Sequence, residues 1–331
     1  MQKKLFAFLQ YILFLGAGIF LVWWQLKSMT PEDRLEFSTA LRNANYWLIP
    51  VIVVLSVISH VSRCLRWKIL LEPMGYAPRL ANMFCATMIG YLANSAVPRL
   101  GEVLKCTFLS RYEKIPVDKL IGTIVIERIF DLFSFLIFIG FTLTIQWGAL
   151  NSFYQNNSQN IGGFNWGKLL LILGIAAFII GIVLWLFKRY RENKIIKKVS
   201  LFTRGIKDGL LTIKTLKRKK QFIAHTIFIW SMYMLQIYFG FSAMEHTAHL
   251  GIGPACAVLV LATFAMIATP GGIGAFPFAI MKVLLLYNIA PTQGQSFGWL
   301  MWGVSTGIVV IVGLSCLIIL PYINKKKIET A

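Results

Sequence analysis

The sequence predicts an all-α, polytopic integral membrane protein of about six full spans plus two opposed re-entrant helical hairpins. Three observations carry this prediction. The chain is 57% hydrophobic and 14% charged, with a mean hydropathy of +0.68, a balance foreign to soluble domains. Several apolar stretches exceed the roughly 20 residues a helix needs to cross a bilayer. Two further apolar stretches are broken by proline or glycine, at Asn94-Ser95-Ala96-Val97-Pro98-Arg99-Leu100-Gly101-Glu102 and at Thr269-Pro270-Gly271-Gly272-Ile273-Gly274-Ala275-Phe276-Pro277.

Taken in order, full spans are expected at 5–26, 46–65, 119–146, 168–188, 221–243 and 296–320, with the broken stretches at 81–110 and 254–288. The first span opens on Lys3-Lys4 and closes on Trp23-Trp24. It resembles a signal peptide in charge, but no small-residue cleavage site follows it, so it reads as a retained span with an interfacial anchor. The segment 188–220 is crowded with lysine and arginine, whereas 147–167 carries no charged residue. The first is therefore expected on the cytoplasmic side and the second outside. Propagating that assignment puts both termini inside, including the basic tail 321–331; the expected location is a bacterial inner membrane. Parity holds when each broken stretch enters and leaves on one side, 81–110 from the cytoplasm and 254–288 from outside. The halves share no residue-level repeat, so an inverted pair is a hydropathy argument only. Residues 1–331 read as one transmembrane domain, and within 188–220 the apolar spacing fits either an amphipathic surface helix or an ordinary basic loop. Asn156-Asn157-Ser158 matches a glycosylation acceptor too short to carry weight.

The net charge of +20 would point to nucleic acid in a soluble protein. In a polytopic chain it reads as topology-setting loops, and no nucleic acid is expected as a partner. Cys64, Cys85, Cys106, Cys256 and Cys316 stand singly in or near apolar segments, without metal-ligand spacing, and read as small hydrophobes. No phosphate-binding loop is present, and with only 13 acidic residues the chain offers no loop carboxylate pair for a metal and a sugar nucleotide. No cofactor is expected.

A helix broken at membrane depth beside charged residues points to a protein-lined polar cavity. The returning helices are expected to begin near Leu100 and Ala275, where unsatisfied N–H groups and the positive dipole end favour an anion. Asn94, Arg99 and Glu102 mark the first break. Arg99 brings a planar fork suited to phosphate, or else pairs with Glu102 to close a turn. Gly271, Gly272 and Gly274 mark the second, where missing side chains would let backbone approach a ligand. Glu127, Arg128 and Asp131 lie within one span. Glu127 and Asp131 share a helix face, and Arg128 is within reach of Asp131. They read either as a polar or proton-coupling lining, or as a clamp to Arg99, Arg63 or Arg66. Arg63, Arg66 and Trp67 read as interfacial anchors before ligands. Glu245-His246-Thr247-Ala248-His249 lacks supporting ligands, so no metal site is expected. His60 and His225 read as structural hydrogen-bonders, and Lys282 as a snorkelling or guiding cation.

Arg63-x-x-Arg66-Trp67, Asn94-x-x-x-Pro98-x-x-Gly101-Glu102, Glu127-Arg128-x-x-Asp131 and Pro270-Gly271-Gly272-Ile273-Gly274 occur in that order across residues 10–320. In these features the chain resembles the lysylphosphatidylglycerol synthase transmembrane family, a flippase-like domain. The resemblance implies a lipid translocator rather than an enzyme. Two departures bear on it: the family's glycine motif is commonly followed by a glutamate where this chain has Pro277, and no soluble aminoacyltransferase domain is expected, so lysine transfer is not implied. The leading expectation is movement of an anionic phospholipid or lipid-linked precursor. An integral-membrane transferase acting on a lipid phosphate and a secondary transporter of a small anion remain the alternatives. The expected partner is the lipid itself, with a second copy or a separate lipid-modifying enzyme left open.

Overall fold

The computed structural model describes residues 2–97, 100–148, 151–152 and 216–325. The expected span 168–188, the Asn156 acceptor and nearly all of 188–220 lie outside the described residues, as do Pro98, Arg99 and the tail beyond 325. Residues 1–146 and 216–331 form one compact unit, and 147–215 the other.

The described residues are helical throughout, with no strand. Ten helices follow one another: α1 (Gln2–Lys27), α2 (Pro31–Arg42), α3 (Ile49–Leu71), α4 (Leu80–Ala96), α5 (Leu100–Glu113), α6 (Val117–Ile145), α7 (Lys219–Phe241), α8 (Ile252–Ala268), α9 (Ala275–Leu284) and α10 (Pro291–Ile323). All ten belong to the first unit. Local chemistry marks their ends. Thr30 and Asp33 exchange side-chain-to-backbone bonds in a capping box ahead of Pro31, which starts α2. Gly75, at φ 83°, turns the chain after α3.

Both expected breaks are present and have the same local cause. Val97 (φ −134°, ψ 113°) and Thr269 (φ −131°, ψ 149°) are extended, as residues preceding a proline are biased to be. Beyond them α5 starts at Leu100 and α9 at Ala275, where the sequence expected the returning helices. α5 folds back on α4, and α9 on α8.

Three described helical stretches, 46–74, 219–241 and 291–323, are long and apolar enough to cross a membrane. α3 lies along α7, while α10 contacts α2, α4 and α9. The main core gathers Phe241, Val258, Phe276, Ile280, Leu284, Phe297 and Met301 from α7 to α10. A smaller one joins Met88, Ile89, Cys316 and Leu320 of α4 and α10. Apolar side chains also face outward: Ile137 is 73% exposed and Ile311 69%. An outward apolar surface on a polytopic helical chain is what lipid requires, and the molecule is a helical membrane protein. All five cysteines are buried and unbridged.

Candidate functional site: a buried ionic cluster beside two meeting helix breaks

Charges in a membrane helix must turn toward the protein or water, and α3, α5 and α6 turn theirs toward one another. On α6, Glu127 and Asp131 are one turn apart on one face, and on α3 Arg63 and Arg66 are likewise. Arg63 Nη1 donates to Glu127 Oε1 at 3.1 Å and to Asp131 Oδ2 at 2.9 Å. Arg66 Nη2 reaches Asp131 Oδ1 at 2.6 Å and Glu127 Oε1 at 3.5 Å. From α5, Lys105 Nζ donates to Glu127 Oε2 at 3.2 Å. Its ammonium also sits 3.9 Å over the Trp67 ring, a cation–π contact strengthened by desolvation. The Trp67 indole donates to Thr123 Oγ1 at 2.8 Å, fixing the ring. α7 completes the wall: Arg63 Nη2 donates to the Tyr233 hydroxyl and Arg66 Nη1 to Thr226 Oγ1, both at 3.2 Å.

Arg66 is fully buried, and Arg63, Lys105 and Glu127 nearly so. Among the described residues three cations thus meet two carboxylates, an excess of one positive charge in a place where charge is costly. Moreover, the Nε–H groups of Arg63 and Arg66 are buried without an acceptor among the described residues, and His60 Nδ1 is buried without a partner there. Unsatisfied buried donors call for an explanation.

The second feature is the meeting of the two breaks. The tip of α4 packs on the turn 270–272, and a Cβ placed on Gly271 would lie 3.5 Å from the Ser95 carbonyl oxygen. Gly271, Gly272 and Gly274 all have positive φ, at 60°, 72° and 71°, which explains their identity. The turn's carbonyls are held from elsewhere: Trp302 Nε1 donates to Gly271 O at 2.8 Å and Gln25 Nε2 to Gly274 O at 3.0 Å. A Cβ on Gly274 would strike Gly18 O of α1 at 2.6 Å. The close approach these glycines permit is therefore to the chain's own backbone. At the first break, Asn94 Oδ1 accepts from Gly101 N–H at 2.8 Å, capping α5 and using one of its free donors. Tyr91 links the two features. It is one turn before Ser95 on α4, and its ring lies 5.1 Å from that of His60, itself one turn before Arg63.

Several sequence expectations need correction. Arg63, Arg66 and Trp67 are buried members of the cluster rather than interfacial anchors, because their helix face meets α6 and α7 instead of the membrane edge. Arg128 does not pair with Asp131: its Nε donates to Glu102 Oε1 at 3.0 Å, in a half-exposed bridge between α6 and α5. Asp131 is already taken by two arginines. Glu102 is thus engaged by Arg128, and Arg99 itself lies outside the described residues. Lys105, Tyr233 and Thr226 were missed. A lone lysine in the apolar run after the first break was the available signal for Lys105; the α7 partners carried none. Ser62 Oγ lies 2.9 Å from His225 Nδ1, in keeping with a structural histidine. Among the described residues no group of three or more side chains is suited to hold a metal.

Broken apolar helices that meet beside a buried ionic cluster define a membrane protein with an internal polar site. A profile of the lysylphosphatidylglycerol synthase TM region matches residues 8–313, and the chain belongs to that family. It is 24% identical over 308 residues to UPF0104 membrane protein MJ1595 of Methanocaldococcus jannaschii, covering 86% of this chain and 88% of that protein. To UPF0104 membrane protein MJ1078 of the same organism it is 27% identical over 201 residues, 59% of this chain and 80% of the relative. No solved structure matches the chain.

Proposed function

We propose that the protein carries an anionic phospholipid or lipid-linked precursor between leaflets of the inner membrane, without catalysing a covalent step. The observation that carries this reading is the unbalanced cluster of Arg63, Arg66 and Lys105 around Glu127 and Asp131, with two arginine Nε–H groups unpaired. A phosphate headgroup would neutralise the excess charge and accept from arginine forks shaped for it. In this reading α4–α5 and α8–α9 are re-entrant hairpins entering from opposite faces, the first from the cytoplasm. Their junction is the constriction the headgroup passes. Both termini are cytoplasmic, so cysteines introduced at Asn157 and Lys207 label from opposite sides of the membrane.

The test is leaflet transfer in reconstituted vesicles, comparing fluorescent phosphatidylglycerol with phosphatidylcholine. Faster transfer of the anionic lipid is the expected result. Equal rates for both headgroups, or none above protein-free vesicles, would end the proposal.

A further inference from the structure

An apolar groove of about 820 Å³ runs along α10, walled by α1, α2 and α3. Among its lining residues are Val22, Phe37, Val53, Trp299, Gly303 and Gly307. We propose that this groove holds one acyl chain of a membrane lipid. The inference rests on the lipid reading above and adds where the hydrocarbon part goes while the charged part is held elsewhere.

Three observations favour this occupant. On α10 the lining extends from Trp299 to Val312, about 20 Å at the helical rise, somewhat more than the roughly 15 Å of hydrocarbon in one leaflet. The groove is continuous with the lipid-facing surface, because Ile311 lines it and is itself 69% exposed. At the other end Tyr46 lines it, next to Trp47, which is 87% exposed; such aromatics belong at headgroup level. The groove also touches the polar path: Trp302 lines it and holds Gly271 O of the second break.

Gly303 and Gly307 are spaced as in helix-packing pairs, so a second copy of the chain is the competing occupant. They also provide the test, since a Cβ at either meets nothing within 4 Å. Gly303→Phe or Gly307→Phe therefore starts a ring from an unobstructed Cβ on the groove wall. Gly140→Phe on α6, at an exposed glycine with equally open space, is the control. The full chain is reconstituted with phosphatidylglycerol carrying a photoreactive diazirine in one acyl chain, irradiated, and its adducts mapped by mass spectrometry. Adducts should concentrate on Leu300 and Val304. They should fall roughly tenfold in Gly307→Phe, the equivalent of about two lost methylene burials, and persist in Gly140→Phe. Adducts spread evenly over the exposed faces of α6 and α10 and indifferent to Gly307→Phe would overturn the site. So would a dimer that Gly307→Phe converts to monomer with the adduct map unchanged. The two readings fail separately: groove adducts without leaflet transfer in the unaltered protein end the translocator and leave the groove, whereas transfer without groove adducts does the reverse.

Discussion

The α4–α5 and α8–α9 hairpins share a plan: in each, a 17-residue helix stops at an extended residue before a proline, and a shorter helix returns. Their contents differ. The first carries Glu102 and Lys105 into contact with α6, and its break is capped by its own Asn94. The second has Lys282 as its one charged residue, and its turn is held by side chains of α1 and α10. Equal backbone breaks thus support unequal roles. The first hairpin delivers charge to the interior, and the second provides a fixed surface for the first to meet.

The largest test of this contrast is on the charged side. Glu127→Gln would leave Arg63, Arg66 and Lys105 facing Asp131 alone, and breaking a buried pair in this way costs about 3–5 kcal/mol. Thermal unfolding in detergent should show a large loss, recovered in good part by adding Lys105→Met. A Glu127→Gln protein as stable as the unaltered one would mean that the cluster is solvated.

Next come the two glycine contacts. In Gly101→Ala the new methyl runs into Gly90 O and Asn94. In Gly274→Ala it meets Gly18 O at 2.6 Å in a left-handed backbone at φ 71°. Each should cost about 1–3 kcal/mol by overpacking. They should part in function: Gly101→Ala displaces Lys105 and impairs transfer of anionic lipid in the molecules that remain folded, whereas Gly274→Ala leaves headgroup preference unchanged. Loss of preference in both would erase the distinction between the hairpins.

The smallest effect is at the surface. The Thr30 hydroxyl and amide, with Thr292, hold the exposed Asp33 carboxyl below its ordinary value of 3.8. A lowered carboxylate adds stability that is present above that value and lost as pH falls through the lowered one. The stability difference between the unaltered protein and Asp33→Asn should therefore be small at neutral pH and vanish as pH drops below 3.8. A difference that grows on acidification would contradict the assignment.

What was legible in the sequence was what local rules decide. A proline constrains the residue before it, so the breaks and the starts of α5 and α9 were readable at Val97-Pro98 and Thr269-Pro270. The pairing of charges was legible only in part: a clamp of Glu127 and Asp131 to Arg63 or Arg66 was one of the readings, whereas the partner of Arg128 was not. Arg128 and Asp131 are within helical reach, yet Glu102 and the two arginines of α3 claim them, because tertiary packing sets which faces meet. The bonds from Trp302 to Gly271 and from Gln25 to Gly274 join residues 31 and 249 positions apart, and no short-range pattern announces them. Lys105 sat in an apolar run beside Glu102 and warranted the attention given to Arg99.

The central claim is that the excess buried charge exists for an anionic headgroup, and Lys105→Met tests it most directly. The substitution leaves two arginines against two carboxylates, a balanced set. The account predicts a protein at least as stable as the original in thermal unfolding, with transfer of phosphatidylglycerol reduced to the rate of phosphatidylcholine in the same vesicles. A variant that is strongly destabilised, or that keeps its preference for the anionic lipid, would contradict it.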